Sequence, residues 1–343
     1  MSKTQRAPAI HRRRGLIKKG LFTLLTVLLV FSVTSMIASA VIFRVLFPRR
    51  DGLSPLHYTY AELDAEAYPR EEFAFTSDDH FLHGYRYLAE APVGSVVIVN
   101  GIFDGADAHL PEIMYFVDHG WSVVTWDATG IGRSEGRGAI GLQQIKQDLC
   151  AYLSSPQASG ELPIVLYGHS AGAYAALTTL SEGYPIDAVV SISGFNSPAD
   201  LMRIQAKSHV GILADVEYPF MLLECLFLFG EDANPKALDS INAVQTPILI
   251  VEGNSDNYIS RDLGLIQFDG CFQNPNVRCM EILSDWRNEH ATPWLTEQAA
   301  EYVCTYSGQT LPDKRLANTL DLKFMNEILE FYLQAANKTG DLP

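Results

Sequence analysis

Residues 163–177 read Pro-Ile-Val-Leu-Tyr-Gly-His-Ser-Ala-Gly-Ala-Tyr-Ala-Ala-Leu. Pro163 to Tyr167 opens as a short apolar run that reads as a buried strand, and Ala173 to Leu177 is a run of helix formers. Between them stands Gly168-x-Ser170-x-Gly172. A strand that turns directly into a helix around a serine holds the hydroxyl in a strained, exposed position. The flanking glycines are needed because strand and helix pass too closely there for side chains. Small Ala173 and Ala176 suit the same close packing. The stretch therefore predicts Ser170 as a nucleophile rather than a serine in an ordinary surface turn.

A serine hydroxyl attacks only when a base removes its proton. On a strand–serine–helix turn of this kind the partners follow in the order serine, acid, histidine. Of nine histidines, only His209 and His290 lie beyond Ser170. His209 falls in an atypical insertion upstream of the expected acid. His290 follows the last expected strand, and is assigned as general base and acid. Asp256, in Gly253-Asn254-Ser255-Asp256 directly after the strand Pro247 to Glu252, is the expected acid, because a carboxylate at a strand's C-terminal edge can accept from the imidazole and fix its tautomer. Asp200 is the second candidate; Asp285 and Glu289 stand too near His290 in sequence to orient it. An oxyanion hole needs two backbone N–H groups. The expected pair is Ala171, next to the nucleophile, and Ile102, in Asn100-Gly101-Ile102-Phe103 after the strand Ser95 to Asn100.

Further strands are expected at Trp121 to Trp126, Ala188 to Ser193 and Cys279 to Leu283, and a hairpin at Phe73 to Phe75 and Phe81 to Tyr87 around Ser77-Asp78-Asp79. Helical spacing recurs in Leu142, Ile145, Leu149 and Tyr152, and again in Leu322, Met325, Leu329 and Tyr332. The alternation argues for an α/β protein with a mostly parallel sheet covered on both faces. Residues 196 to about 245 interrupt it with some fifty positions, too long for a bare loop. They contain the apolar stretch Phe220 to Phe229, read as a helical cap above the sheet or an ordinary buried helix. Asp127 to Gly136 is glycine-rich, but lacks the spacing and the Lys-Ser or Lys-Thr of a phosphate loop. It is read as a turn shaping the rim of the site. His80 and His83 fall on opposite faces of a strand and are discarded as a metal pair.

The chain has 343 residues, 48% of them hydrophobic and 19% charged, as expected of a folded protein with one extra apolar segment. Residues 1–50 carry ten Lys and Arg and no acid; the remainder carries fifteen basic and forty acidic side chains. A domain so acidic repels phosphate, which argues against nucleic-acid binding. Leu21 to Phe43 runs for 23 residues without a charge, about 35 Å as a helix and enough for a hydrocarbon core of about 30 Å. Seven basic residues precede it and three follow, predicting a cytoplasmic N-terminus and an exported domain. Ala38-Ser39-Ala40 resembles a signal-peptide cleavage site, but the apolar run continues past it, favouring an uncleaved anchor. The expected organisation is a basic cytoplasmic segment (1–20), a transmembrane signal-anchor (21–43), a connector (44–70) and a folded domain (71–343). Cys271 and Cys279 could close a small disulfide loop or stand as free thiols; no cysteine spacing suggests zinc.

Together, Gly168 to Gly172, the D-x-x-G-x-G-x-S-x-G run at 127–136, Gly253 to Asp256, and His290 resemble the α/β-hydrolase superfamily, particularly its bacterial lysophospholipase, monoacylglycerol-lipase and serine-aminopeptidase-like branch. The resemblance covers residues 71 to about 335. It implies an eight-stranded, mostly parallel sheet with a small helical cap. Two departures stand out: Asn100 replaces the usual histidine before Gly101, and Asn288-Glu289 replaces the glycine common before the final histidine. The function expected is a membrane-anchored serine hydrolase cleaving carboxylic esters through an acyl-enzyme on Ser170, His290 and Asp256, without metal or organic cofactor; the apolar cap segment and the anchor together suggest a lipid-like acyl substrate. A serine peptidase on the same fold and a non-catalytic binding protein are the alternatives. Oligomeric state is not legible.

Overall fold

The computed structural model describes residues 7–160 and 162–340. The N-terminal helix α1 spans Ala7–Leu46, and an irregular connector leads to the hairpin β1 (Arg70–Ser77) and β2 (His80–Tyr87). Then come β3 (Gly94–Val99), α2 (Leu110–Asp118), β4 (Trp121–Trp126), α3 (Gln144–Ser154), β5 (Ile164–His169), α4 (Ala171–Thr178) and β6 (Ala188–Ile192). After β6 the chain leaves the sheet for α5 (Pro198–Val210), α6 (Leu213–Phe229) and short α7 (Ala237–Asn242). It returns through β7 (Ile248–Gly253) and β8 (Val277–Ile282), and ends in α8 (Glu297–Thr305), α9 (Lys314–Ala317) and α10 (Leu322–Gly340).

The eight strands form one sheet in the order β1-β2-β4-β3-β5-β6-β7-β8. The β1–β2 and β2–β4 pairs are antiparallel; the remaining pairs are parallel. Alternation along β5 shows why both faces must be covered. Leu166 points into the layer with Tyr174 of α4 and Leu149 of α3. Val165 and Tyr167 point into the layer with Phe116 of α2 and Tyr332 of α10. Strands with apolar residues on both faces are stable only between two helical layers. The parallel strands all end their C-terminal edges on one side, and Ser170, Asp256 and His290 follow β5, β7 and β8 at that edge.

The expected strands lie within two residues of those observed, except that β1 starts three residues before Phe73, and the segment expected as a cap holds α5, α6 and α7. Helix α1 is longer than the apolar run alone. Its stretch Ile17–Leu46 is long and apolar enough to cross a membrane, and only 6% of its most apolar window is buried. A core helix is thereby ruled out. Its C-terminal end is fixed to the domain: Phe43 and Phe47 are buried, and the Arg49 guanidinium donates to the carbonyls of Ser134, Gly136 and Gly132, each at 2.8 Å. Helix α1 also packs along α6, with Phe31 edge-on to Phe220 at 5.7 Å between centroids and Ser35 Oγ donating to Glu217 at 3.0 Å. All five cysteines are free thiols, so Cys271 and Cys279 form no disulfide.

Candidate active site

Ser170 stands between the end of β5 and the start of α4 with φ 55° and ψ −117°. A β-carbon-bearing residue in that region is strained, and such strain persists only where the surroundings over-determine it. Two glycines make it possible: a Cβ on Gly172 would stand 1.9 Å from the Val99 carbonyl oxygen, and one on Gly168 2.6 Å from that of Gly172. The backbone is anchored as well, because Ser170 N–H donates to the Ile192 carbonyl at 2.9 Å.

His290 reaches this serine from a loop 120 residues downstream: its Nε2 lies 3.0 Å from Ser170 Oγ and its Nδ1 2.7 Å from Asp256 Oδ2. A carboxylate only accepts, so Nδ1 carries the proton and Nε2 presents its lone pair to the serine hydroxyl. The other oxygen of Asp256 accepts from the N–H groups of Tyr258 and Ile259 at 2.8 and 2.7 Å. The carboxylate is thus locked in place, buried at 2% side-chain exposure, while the His290 side chain keeps 16%. Asp200, the second candidate, is elsewhere: in the cap, it accepts from Tyr218 and from Lys236 at 3.0 and 2.6 Å. His209 is exposed at the end of α5.

The loop carrying Ile102 runs over the serine, since a Cβ on Gly101 would stand 3.6 Å from Ser170 Cβ. Ala171, the first residue of α4, has an N–H with no partner inside the helix. The two departures noted in the sequence both have structural roles. Asn100 Nδ2 donates to the Gly105 carbonyl at 3.2 Å and to Thr125 Oγ1 at 3.3 Å, tying the loop down from beneath. Asn288 packs its backbone against Gly253, where a Cβ would meet its oxygen at 2.1 Å, and its side chain donates to Asn254 Oδ1 and Ser255 Oγ. The 127–136 turn is joined to the same frame: Asp127 accepts from the N–H groups of Ala106 and Arg133 at 2.9 and 3.0 Å.

Sequence reasoning missed several supports. His169 Nε2 and Ser193 Oγ both donate to the His290 carbonyl, at 3.1 and 2.9 Å, and the Tyr258 ring lies 5.2 Å from that of His290. Burial, reinforced by His290 and His109 nearby, pushes the His169 imidazole well below its ordinary pKa. It stays neutral, as donation to a carbonyl with one nitrogen requires. No spacing rule reveals these contacts, which join β5, β6 and the loop after β8 only in three dimensions.

At the end of β7, burial pushes the Glu252 carboxyl up to about 7, although the N–H groups of Leu265 and Ile266 donate to it and pull the other way. An acid raised in the folded state stabilises the fold fully below its unfolded pKa, near 4.5, and that contribution is lost as pH rises through about 7. The loss is of order 3 kcal/mol. Thermal midpoints of the full chain in detergent should therefore fall between pH 5 and 8, and Glu252→Gln should remove most of that slope. An equally steep fall in the variant would assign it to other groups.

The segment 90–220 matches the family described as Serine aminopeptidase, S33. Solved structures share the fold. The Pyrococcus furiosus esterase Pf2001 superposes with a TM-score of 0.53 at 20% identity, covering 72% of this chain and 91% of the esterase. Est1E from Butyrivibrio proteoclasticus, solved with ferulic acid bound, gives 0.50 at 14%, covering 76% and 99%. The Pyrococcus horikoshii acylaminoacyl peptidase gives 0.51 at 18%, covering 81% of this chain and 43% of the peptidase. A search of the curated proteins finds no match. With its eight-stranded sheet and flanking helices, the chain has the α/β-hydrolase fold.

Proposed function

We propose that this protein is a serine hydrolase of carboxylic esters, held at a membrane by α1. The observation that carries the reading is the hydrogen-bonded series Ser170 Oγ, His290, Asp256, closed at 3.0 and 2.7 Å on a strained serine backbone. In the reaction Ser170 Oγ attacks the ester carbonyl carbon as His290 Nε2 takes its proton. The negative charge on the carbonyl oxygen is met by the N–H groups of Ala171 and Ile102. His290 then protonates the leaving alcohol; a water that His290 deprotonates attacks the acyl-enzyme, and the imidazolium returns the proton to Ser170 Oγ as the acid leaves. Asp256 keeps the imidazole in the tautomer that presents Nε2 and stabilises the imidazolium.

The membrane side of the reading rests on α1 and the cap. Helix α6 lies along α1 and exposes Leu213, Val216, Leu223, Leu226 and Phe227, while α1 exposes Leu21, Phe22, Leu29 and Val30 among others. Two packed helices with apolar outer surfaces favour a lipid-like acyl substrate delivered from the bilayer. The basic excess before the span supports an orientation with the N-terminus in the cytoplasm and the hydrolase domain outside.

A fluorophosphonate should label the full chain in detergent, and p-nitrophenyl esters of medium chain length should turn over faster than the acetate. Failure of the phosphonate to label would leave a binding protein on a hydrolase fold; a preference for acetate would remove the lipid-like substrate while keeping the esterase. The family match over 90–220 favours a second reading, a serine peptidase. Turnover of aminoacyl anilides exceeding that of every ester would establish it.

A further inference from the structure

Behind the serine, between the connector and α2, lies a cavity of about 210 Å³ whose walls include His57, Asp104, His109, Glu112 and His169. A donor atom from each of Asp104, His109 and His169 lies within 4.8 Å of the other two. Both histidines are buried, at 2% and 5% exposure. His169 Nε2 donates to the His290 carbonyl, so its Nδ1 holds a bare lone pair, and that Nδ1 is buried with no hydrogen-bond partner. Asp104 brings its carboxylate to the same place: a Cβ on Gly101 would meet Asp104 Oδ2 at 2.9 Å and His169 Nδ1 at 3.4 Å. His109 Nδ1 lies 2.8 Å from the buried carboxylate of Glu112. That carboxylate accepts the Nδ1 proton and leaves Nε2 as the ring nitrogen able to accept or to ligate.

Acceptors therefore converge on one spot, the two imidazoles buried and Asp104 half-buried, and a buried lone pair facing a carboxylate is costly without something positive between them. A proton on His109 can serve Asp104 but leaves His169 Nδ1 unsatisfied. A cation serves all three. The geometry points to a site for a first-row divalent transition ion, Zn²⁺ being the natural occupant, held by His169 Nδ1, His109 and Asp104. Two imidazoles and one carboxylate are the donor set that suits such ions rather than Mg²⁺ or Ca²⁺. For three atoms mutually within 4.8 Å there is always a point within about 2.8 Å of each, so shifts of under about 1 Å bring them to the 2.0–2.2 Å of zinc–nitrogen and zinc–oxygen bonds. Glu112 on His109 is the carboxylate that orients a ligating imidazole and raises its basicity. The fourth position opens into the cavity, which His57 also lines with an unpartnered Nδ1.

The site lies outside the proton relay but touches its supports on two sides. His169 precedes the serine and holds the His290 carbonyl, and Asp104 closes the turn that begins at Gly101, its N–H donating to the Gly101 carbonyl at 3.3 Å. An ion there would fasten the loop carrying Ile102 to the strand end carrying Ser170. Its role is structural, so metal binding is testable apart from activity.

The test uses the full chain in detergent, stripped with a chelator and titrated with Zn²⁺ against a chromophoric competitor. One Zn²⁺ per chain is expected, with a rise in thermal midpoint on binding. Asp104→Asn and His109→Gln should each weaken binding by about 100-fold or more, and Glu112→Gln by about 10- to 100-fold. Ser170→Ala should bind as the wild type does, which separates this site from any metal captured by the nucleophile. Co²⁺ in place of Zn²⁺ should give the visible absorption of a low-coordinate nitrogen–oxygen site. Far-ultraviolet circular dichroism of each variant shows whether it is folded, and the near-isosteric Asp104→Asn retains the side-chain volume. Absence of uptake by folded wild type, or uptake equal in Asp104→Asn and His109→Gln, overturns the assignment and leaves a hydrated, proton-linked cluster.

Discussion

Replacing Ser170 with alanine should lower ester turnover by about 10⁴- to 10⁶-fold and abolish phosphonate labelling, without loss of fold. In the proposed reaction the hydroxyl is the atom that forms the acyl bond. Removing Oγ breaks the 3.0 Å contact with His290 Nε2 but leaves the imidazole held by Asp256 and by the two donors on its carbonyl. Alanine is also smaller than serine at a half-buried position, so no overpacking follows. The residual rate over water would come from the Ala171 and Ile102 N–H groups and from substrate binding. Because the three residues act as a unit, Ser170→Ala combined with His290→Ala should be scarcely slower than Ser170→Ala alone. The checking measurement is initial rate on a medium-chain p-nitrophenyl ester, with protein purified free of host esterases. A Ser170→Ala rate within about tenfold of wild type would remove the nucleophile from the proposal.

The sheet was legible in the sequence because its central strands, β3 to β7, are short apolar runs bounded by turn residues and buried on both faces. The strand Trp121 to Trp126 coincides with β4, since Gly120 before it and the glycine-rich turn after it leave no doubt about its ends. The approach of His290 to Ser170 was legible only through the order of motifs along the chain. Their separation is 120 positions, and periodicity says nothing at that range. The sequence favours Asp256 over Asp200 from its place directly after a strand; what decides between them in space is which strand edge lies nearest the final loop. That is a matter of sheet order, with β7 paired to β8 and β6 one strand further away. What stayed hidden has a common cause. The anchoring of Arg49 on the 127–136 turn, the packing of α1 on α6, and the convergence of Asp104, His109 and His169 each join segments whose local sequences give no sign of one another. The histidines of that cluster looked unremarkable because a histidine shows its role only through what faces each ring nitrogen.

Substituting alanine at Gly172 should be among the most damaging single-methyl changes in the chain, costing about 4 kcal/mol or more. Gly172 has ordinary helical backbone, so the reason is space rather than conformation. Its missing Cβ would stand 1.9 Å from the Val99 oxygen, 2.5 Å from the Val99 carbonyl carbon and 2.7 Å from the Asn100 oxygen. These are backbone atoms at the end of β3, in the interior of the sheet, and cannot rotate aside as a side chain would. Relief requires α4 to move off β3, and α4 carries Ala171 while β3 runs into Asn100, Gly101 and Ile102. The same displacement that weakens packing therefore pulls apart the two N–H groups proposed to meet the oxyanion. Activity should fall in whatever fraction remains folded, by more than the loss of folded protein accounts for. Gly160→Ala is the matched control, because a Cβ there meets nothing within 4 Å and the backbone needs no positive φ; it should change stability by less than about 1 kcal/mol. Thermal melts of the three proteins, with phosphonate-labelling rates normalised to folded protein, decide the matter. A Gly172→Ala protein that melts and labels like the Gly160→Ala control would mean that strand and helix do not approach so closely at this turn, and the strain that exposes Ser170 would lose its structural cause.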